Sequence, residues 1–290
     1  MQISVSYRIV YANVVDSTVV TITNLQGDCC VSAVTSLGDD VFVVREESDL
    51  KEVEVYDAVT LTLQRRLPVP GLGNFPRGLA ACARDRCLCV SNFDYSYVHR
   101  VDLSGSNAVM KWSVARCPVG LSLNDADNVL VVSRLECRLQ EFTTRGALLR
   151  NIQLQADIER PQYVIQLSVD RFVVSHDGSL HRVCLVDENG SVVRSYGGHV
   201  SFGLNHPRGL ASDRHGNVLV ADMGNGRLLV LAGTLTSANE MSVSVDAVGA
   251  LTAPRSLWYD KTRRRLYVGE QGRCSLVVVD RLTDFNASQV

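Results

Sequence analysis

Short apolar runs alternate with turns rich in Gly, Asn and Asp along almost the whole chain. Between residues 208 and 247 there are four such runs, which read RGLAS, VLVAD, RLLVL and MSVSVDA. Runs of this length, rich in Val, Leu and Ala and often alternating with polar residues, predict β-strands. No segment has the spacing and the caps of a long helix. The pattern therefore predicts an all-β protein.

This pattern of runs repeats along the chain. The segment NHPRGLA at 205–211 has a near copy, NFPRGLA, at 74–80. Counterparts of its proline stand at 76, 118, 161, 207 and 254, roughly 45 residues apart. After these prolines a second apolar run opens in nearly constant register, at Cys87, Val129, Phe172, Val218 and Leu266. A degenerate first copy has Cys30 where the others have proline, so the chain contains six units.

Six units of four short strands predict a six-bladed β-propeller with one four-stranded antiparallel blade per unit. Six turns of a β-solenoid are the alternative, although solenoid repeats are usually shorter. In a propeller, strand one of each blade lines the centre, where Gly78 and Gly209 would let neighbouring blades approach. The GNG run at 224–226 is then predicted to be a hairpin loop. It lacks the third glycine and the following helix of a phosphate-binding loop.

The two ends of the chain are predicted to share one blade. The sixth unit ends after its third strand, SLVVVDRLTDF at 275–285, and the missing fourth strand is available in STVVTITNL at 17–25. We predict that Thr18 to Asn24 pairs with Ser275 to Asp280 and closes the ring, which removes exposed sheet edges. On this basis residues 1–16 are expected to be an N-terminal extension or linker, 17–284 the propeller, and 285–290 a C-terminal tail.

The unit HPRGLASDRHGNVLVADMGNGRLLVL at 206–231 resembles an NHL repeat. It has the proline, the Gly-hydrophobic-Ala strand, the Asp-x-x-Gly-Asn turn, the Val-Ala-Asp strand and the Asn-x-Arg segment. The resemblance implies a propeller similar to the C-terminal domain of tripartite-motif NHL proteins, ubiquitin ligases in which this domain recognises protein or RNA. Because the sequence has no RING or B-box pattern, the resemblance implies a substrate-recognition module and not a ligase.

Composition and cysteine content limit the cellular compartments and the classes of partner to consider. The chain is 46% hydrophobic and 21% charged with a formal net charge of -2, whereas chains that hold nucleic acid are usually more basic. No apolar run reaches the roughly 18 residues that a membrane span needs. The nine cysteines, mostly inside apolar runs, are expected to be reduced core thiols, which favours the cytoplasm. The sequons at Asn189 and Asn286 favour secretion, which leaves that alternative open.

A metal-dependent lactonase or lyase-type propeller is the enzyme alternative, with ligands gathered from several blades at the channel mouth. The ends of strand two carry Arg45, Ser91, Ser133, His176, Asp222 and Glu270. The positions after the proline carry Val31, Arg77, Val119, Gln162, Arg208 and Arg255. Three of the first set have metal-ligand chemistry, but the three nearby arginines would repel a cation. We therefore expect no enzyme activity, no metal and no cofactor.

The loops that join strand four to strand one and strand two to strand three are expected to share one face. Arginines interleave there with aromatic residues, which is typical of protein hot spots and of single-stranded RNA sites. The candidate binding residues are Arg77, Phe93, Tyr95, Arg134, His176, Arg208, Asp222, Arg227, Arg255 and Glu270. We expect a monomeric, non-catalytic scaffold that binds a protein partner, with RNA as the alternative and neither DNA nor a membrane as partner.

Overall fold

The computed structural model describes residues 9–11, 14–16, 20–23, 30–46, 51–198, 203–243, 251–271 and 274–280. These ranges form β-strands and a single 3-10 turn at Met223–Asn225. No helix in them is long and apolar enough to span a membrane. The fold is therefore all-β, as the periodicity predicts.

The strands follow one another along the described chain in short segments. They are β1 (Ile9–Tyr11), β2 (Val14–Asp16), β3 (Val20–Thr23), β4 (Val31–Leu37), β5 (Asp40–Arg45), β6 (Glu52–Asp57), β7 (Leu63–Pro68), β8 (Pro76–Cys82), β9 (Cys87–Asn92), β10 (Tyr97–Asp102), β11 (Val109–Ser113), β12 (Pro118–Leu123), β13 (Val129–Ser133), β14 (Arg138–Phe142), β15 (Leu148–Gln153), β16 (Pro161–Ser168), β17 (Arg171–Asp177), β18 (His181–Asp187), β19 (Val192–Gly197), β20 (Pro207–Ser212), β21 (Val218–Asp222), β22 (Arg227–Leu231), β23 (Ala238–Val243), β24 (Pro254–Asp260), β25 (Arg265–Glu270) and β26 (Leu276–Val279).

These strands pair into six antiparallel sheets, one for each repeat of the sequence. Blade 1 is β4–β7, blade 2 is β8–β11, blade 3 is β12–β15 and blade 4 is β16–β19. Blade 5 is β20–β23, and the hairpin β1–β2 extends its outer edge through pairing of β1 with β23. Blade 6 is β24–β26 with β3 as its outermost strand. In blades 2 to 6, strand one begins at the repeat proline.

The ring is closed by the N-terminal strand. β3 pairs antiparallel with β26, from Thr23 opposite Leu276 to Val20 opposite Val279, which confirms the predicted closure. Residues 18, 19 and 24 of that prediction lie outside the described residues. Strand one of every blade packs against strand one of the next, and β24 packs against β4. The sheets therefore form a closed propeller and not a solenoid.

Glycines in strand one bring the blades together at the centre. A Cβ on Gly78 would lie 2.6 Å from both the Leu121 nitrogen and the Val119 oxygen of the next blade. One on Gly209 would lie 2.8 Å from the Arg255 oxygen. Both contacts are with backbone that cannot yield, so only glycine permits this spacing.

The core lies between the blades. Each of six clusters of buried side chains joins two neighbouring blades. Val41 and Phe42 are adjacent in β5 but face blade 6 and blade 2 respectively, because successive side chains of a strand point to opposite faces. Cys82, Cys87, Cys89 and Cys184 belong to these clusters or are buried beside them, and all eight cysteines in the described ranges are free.

Candidate functional site

One end of the central channel is lined by the residues that follow the strand-one prolines. Arg77, Val119, Gln162, Arg208 and Arg255 surround a cavity of about 30 Å³ there. In blade 1 the lining residue is Ser32, because Val31 and not Cys30 occupies the place of the repeat proline: Val31 pairs with Arg45 as Pro76 pairs with Asn92. The sequence register, which put Cys30 at the proline position and Val31 after it, was therefore wrong by one residue in this unit. We call this end, with the loops joining strands four and one and strands two and three, the mouth face.

A second ring of mouth residues lies at the end of strand two. It is the first residue after that strand in blades 1, 2, 3 and 6, and the last residue of β17 in blade 4. In five blades its backbone N–H donates to the carbonyl of the residue before strand one. These residues are Glu46, Phe93, Arg134, Asp177 and Gln271. Phe93 and Arg134 are among the predicted site residues. Glu46 and Asp177 are the two carboxylates of this ring. Each follows directly after a residue, Arg45 or His176, that the repeat register placed at the end of strand two.

Glu46 anchors one half of the mouth. Arg255 donates to its two carboxylate oxygens at 2.6 and 2.9 Å, and Arg77 contacts it at 2.6 Å. Glu46 and Arg255 are both buried. Burial raises the pKa of Glu46, and the adjacent guanidinium of Arg255 opposes that shift. Arg77 also lies over the rings of Phe93 and Phe75, with its guanidinium carbon 5.3 and 5.6 Å from their centres.

Asp177 anchors the other half. Gln162 donates to one carboxylate oxygen at 2.8 Å, and Arg208 contacts the other at 3.0 Å. Arg208 also donates to the Gln162 side chain. Arg134 and Arg160 approach Asp177 more loosely, at 3.7 and 3.8 Å. Burial lowers the pKa of Arg208, and Asp177 opposes that shift.

At the centre of the mouth, the arginines outnumber the carboxylates that they contact. Five guanidinium groups, from Arg77, Arg134, Arg160, Arg208 and Arg255, contact only two carboxylates, those of Glu46 and Asp177. Half of the Arg160 side chain is exposed, at 51%, whereas that of Arg255 is 7% exposed. Such a cluster favours a negatively charged ligand approaching from solvent, with Arg160 on its outer side.

Three predicted site residues lie inside the blades and not at the mouth. His176, Asp222 and Glu270 are buried. Asp222 accepts from the Asn205 nitrogen at 2.6 Å and pairs with Arg227 at 2.7 Å. Glu270 accepts from the Thr252 nitrogen at 2.8 Å. Asp222 and Glu270 are the last residues of strand two in their blades, and His176 is the last but one in β17. The contacts of all three are with residues of their own blade and its loops.

Burial suppresses the acid–base chemistry of His176. His176 accepts from the Arg182 Nε at 3.3 Å. Burial, with the nearby charge of Arg182, lowers the pKa of His176 to about 4. No group of three His, Cys, Asp or Glu side chains in the described ranges is arranged to hold a metal ion.

Exposed apolar side chains stand beside the arginines on three successive blades. Tyr95, Leu135 and Leu180 occupy the loops between strands two and three of blades 2, 3 and 4. They are 62%, 59% and 39% exposed. The sequence singled out Tyr95 only. An apolar residue among the polar residues of each of these three equivalent loops was the available signal for the other two.

Comparisons with known proteins support the fold and the repeat. The family model of the NHL repeat matches residues 204–231, which cover strands one to three of blade 5. No curated protein matches the sequence. Among solved structures, hydrazine synthase of Kuenenia stuttgartiensis superposes with a TM-score of 0.63 at 16% identity, covering 90% of this chain and 99% of that one.

Two further solved structures have a similar fold. Virginiamycin B lyase from Staphylococcus aureus superposes with a TM-score of 0.66 at 9% identity, covering 90% of this chain and 98% of that one. The WD40 β-propeller domain of Doa1 gives a TM-score of 0.60 at 14% identity, covering 91% and 96%. At these identities the likeness shows the fold alone. The chain is thus a β-propeller with an NHL repeat, an architecture suited to a binding or scaffold role.

Proposed function

We propose that the chain is a non-catalytic recognition module that binds an acidic, partly apolar segment of a protein partner across its mouth face. The observation that carries this proposal is the convergence of five guanidinium groups on two carboxylates. Acidic side chains of a partner would pair with the excess positive charge. We further propose that the module acts in the cytoplasm, because the eight cysteines of the described ranges are free.

The exposed apolar residues favour protein over RNA. Leu135 and Leu180 offer aliphatic surface, which suits an apolar anchor of a peptide, whereas RNA sites rely on aromatic rings that stack on bases. Tyr95 would serve either ligand. Single-stranded RNA is therefore the second candidate, supported by the arginines and Tyr95. A place in a ubiquitin-ligase system rests on the NHL repeat at 204–231 and is part of the proposal.

The test compares two fluorescent probes, a peptide of alternating Glu and Leu and an oligouridine, by polarisation at rising salt. We expect the peptide to bind, and Arg160→Glu or Leu135→Ser to weaken it by about tenfold, equivalent to roughly 1.4 kcal/mol. Arg160 is preferred to Arg208 because its side chain is half exposed and its ion pair with the Asp177 carboxylate is long, although its guanidinium also donates to the Asp177 backbone carbonyl. Reversing its charge disturbs the buried network least.

Arg194→Glu supplies the matched control, since Arg194 is exposed on β19, the outermost strand of blade 4. It should leave peptide affinity unchanged. Thermal melts of all variants check folding. Tighter binding of oligouridine than of peptide, with affinity falling steeply as salt rises, would replace the protein partner by RNA. Equal peptide affinity of the Arg160→Glu variant and the unmodified chain would remove the mouth face as the site.

A further inference from the structure

The ring is joined at the seam between blades 6 and 1, where strands from the two ends of the sequence meet. Blade 6 combines β24–β26 with the N-terminal strand β3. Blade 1 packs against blade 6 through a shared cluster that includes Val31, Tyr267 and Leu276. Because all eight cysteines in the described ranges are free, the described contacts at this seam are noncovalent.

Two of these thiols lie next to each other across the seam. Cys30 directly precedes β4 of blade 1, and Cys274 lies two residues before β26 of blade 6. The Cys30 Sγ donates to the Gln271 carbonyl at 2.8 Å, in the loop that leads to Cys274. The side chains of Cys30 and Cys274 are also hydrogen-bonded to each other. The two sulfur atoms are therefore neighbours, which is the first requirement for a disulfide.

Contacts with blade 1 hold the backbone at both cysteines. The Cys30 carbonyl accepts from the Glu46 nitrogen at 3.0 Å. The Cys274 carbonyl accepts from the Arg45 guanidinium at 3.3 Å. Because Arg45 and Glu46 are consecutive residues, one short segment of the chain positions both cysteines. Their proximity therefore follows from the structure of the seam and not from the rotamer of one side chain.

The pair differs in exposure from the cysteines of the core clusters. Cys30 and Cys274 are partly exposed, whereas the four cysteines of the core clusters are buried. An oxidant in solution can reach a partly exposed thiol. The other two partly exposed cysteines of the described ranges, Cys117 and Cys137, both belong to blade 3. A bond between Cys30 and Cys274, by contrast, would join two blades.

We propose that Cys30 and Cys274 form a redox-modification site, which a small disulfide oxidant such as oxidised glutathione converts into a disulfide across the seam. The thiolate of one cysteine attacks a sulfur atom of the oxidant, whose S–S bond breaks and releases one thiol. The thiolate of the other cysteine then attacks the mixed disulfide and releases the second thiol. The protein loses two protons and two electrons, which reduce the oxidant to two thiols.

This disulfide would lock the closure of the ring. Cys30 precedes the first strand of blade 1 and Cys274 lies within blade 6, so the covalent loop would contain almost the whole propeller. Disulfides that close long loops restrict the unfolded chain most. Reduced glutathione keeps such thiols reduced, so the lock would form only under oxidising conditions. The site does not depend on the partner proposed for the mouth face.

Oxidation of this pair should be faster in alkaline solution. Burial, with the adjacent Cys274 and Glu46, raises the pKa of Cys30, while the charge of Arg255 opposes the shift. The thiolate is the attacking species, so the rate should rise with pH. The oxidation is therefore carried out at about pH 8.5, near the ordinary pKa of a cysteine thiol.

The test is to incubate the full chain with oxidised glutathione, alkylate the remaining thiols and map disulfides by mass spectrometry. We expect a cross-link between Cys30 and Cys274. We also expect the melting temperature to rise by roughly 5–10 °C, and dithiothreitol to reverse the rise. Cys30→Ser and Cys274→Ser should lose both effects. Cys29→Ser, at the preceding cysteine, and Cys117→Ser are matched controls that should keep both.

The proposal is overturned if the cross-link is absent, if a mixed disulfide with glutathione is the only product, or if Cys30→Ser still forms a bond to Cys274. A melting temperature that oxidation leaves unchanged would refute the lock on the ring. Thermal melts of the reduced variants establish that each one folds, so a missing cross-link can be assigned to the missing thiol.

Discussion

His99 is an uncharged histidine inside blade 2. It is fully buried on β10, and neither of its ring nitrogens has a hydrogen-bond partner in the described protein. Burial, with the nearby charge of Lys111, lowers its pKa to about 4. The unfolded chain therefore takes up a proton below pH 6.5 that the folded chain does not accept until about pH 4. The contribution of His99 to the free energy of unfolding is therefore fully present above pH 6.5, and it is lost as the pH falls from 6.5 to about 4.

His99→Phe should stabilise the protein. The substitution removes buried polar atoms without partners, which predicts a free energy of unfolding about 1–3 kcal/mol higher at pH 7. It should also flatten the loss of stability between pH 6.5 and 4, leaving the share due to His176. Urea unfolding at several pH values measures both effects. His215→Gln, at an exposed hairpin position, should change neither. Lower stability of His99→Phe would show that the imidazole has a structural partner.

Side-chain direction at the end of strand two decides which of the predicted residues line the channel. The repeat register assigned His176, Asp222 and Glu270 to the channel mouth, but the structure buries all three within their blades, while Asp177, next to His176, contacts Arg208. An offset of one residue reverses the face to which a side chain points. Irregular pairing near the start of strand one adds a further shift, as between Pro76 and Leu79. Sequence spacing cannot resolve a one-residue offset of this kind.

At the level of elements, closure of blade 6 depends on a strand from the opposite end of the chain. β3 completes the sheet beside β26 through four residue pairs. Without it, β26 would present an unpaired edge. The hairpin β1–β2, in contrast, adds to the outer edge of a blade that already has four strands. The two N-terminal segments therefore differ in what they contribute.

Two truncations separate these contributions. A chain that begins at residue 26 should melt much lower and aggregate, because blade 6 loses its fourth strand. A chain that begins at residue 17 keeps β3 and should melt close to the full chain. Scanning calorimetry and light scattering measure the two outcomes. If the shorter chain melts like the full one, closure by β3 is not needed for stability.

On the scale of the whole molecule, the three predicted residues with metal-ligand chemistry lie far apart. His176, Asp222 and Glu270 belong to three different blades, and each is engaged within its own blade. Five arginine side chains lie at the mouth, and their positive charge would repel a cation there. This arrangement supports a binding role over the lyase-type alternative.

Elemental analysis of the purified protein checks that view. We expect no stoichiometric divalent ion after dialysis against a metal-free buffer. One ion per chain would contradict the non-catalytic proposal. The Asp222→Asn and Glu270→Gln variants would then show which blades hold the ion, and an unaffected ion content in both would place it elsewhere.

The local periodicity of the sequence was sufficient to predict the propeller architecture. The proline register, the strand alternation and the unpaired third strand at 276–279 predict six blades and their closure, because each blade is built from neighbouring residues and repeats the same turns. Which residues come together at the two ends of the channel was decided by the tertiary structure alone. Glu46 and Arg255, which are 209 residues apart in the sequence, are hydrogen-bonded at the mouth. The cavity of about 600 Å³ at the opposite end of the channel is lined by residues of all six blades. Such contacts depend on ring closure and on single-residue offsets, which no local pattern encodes.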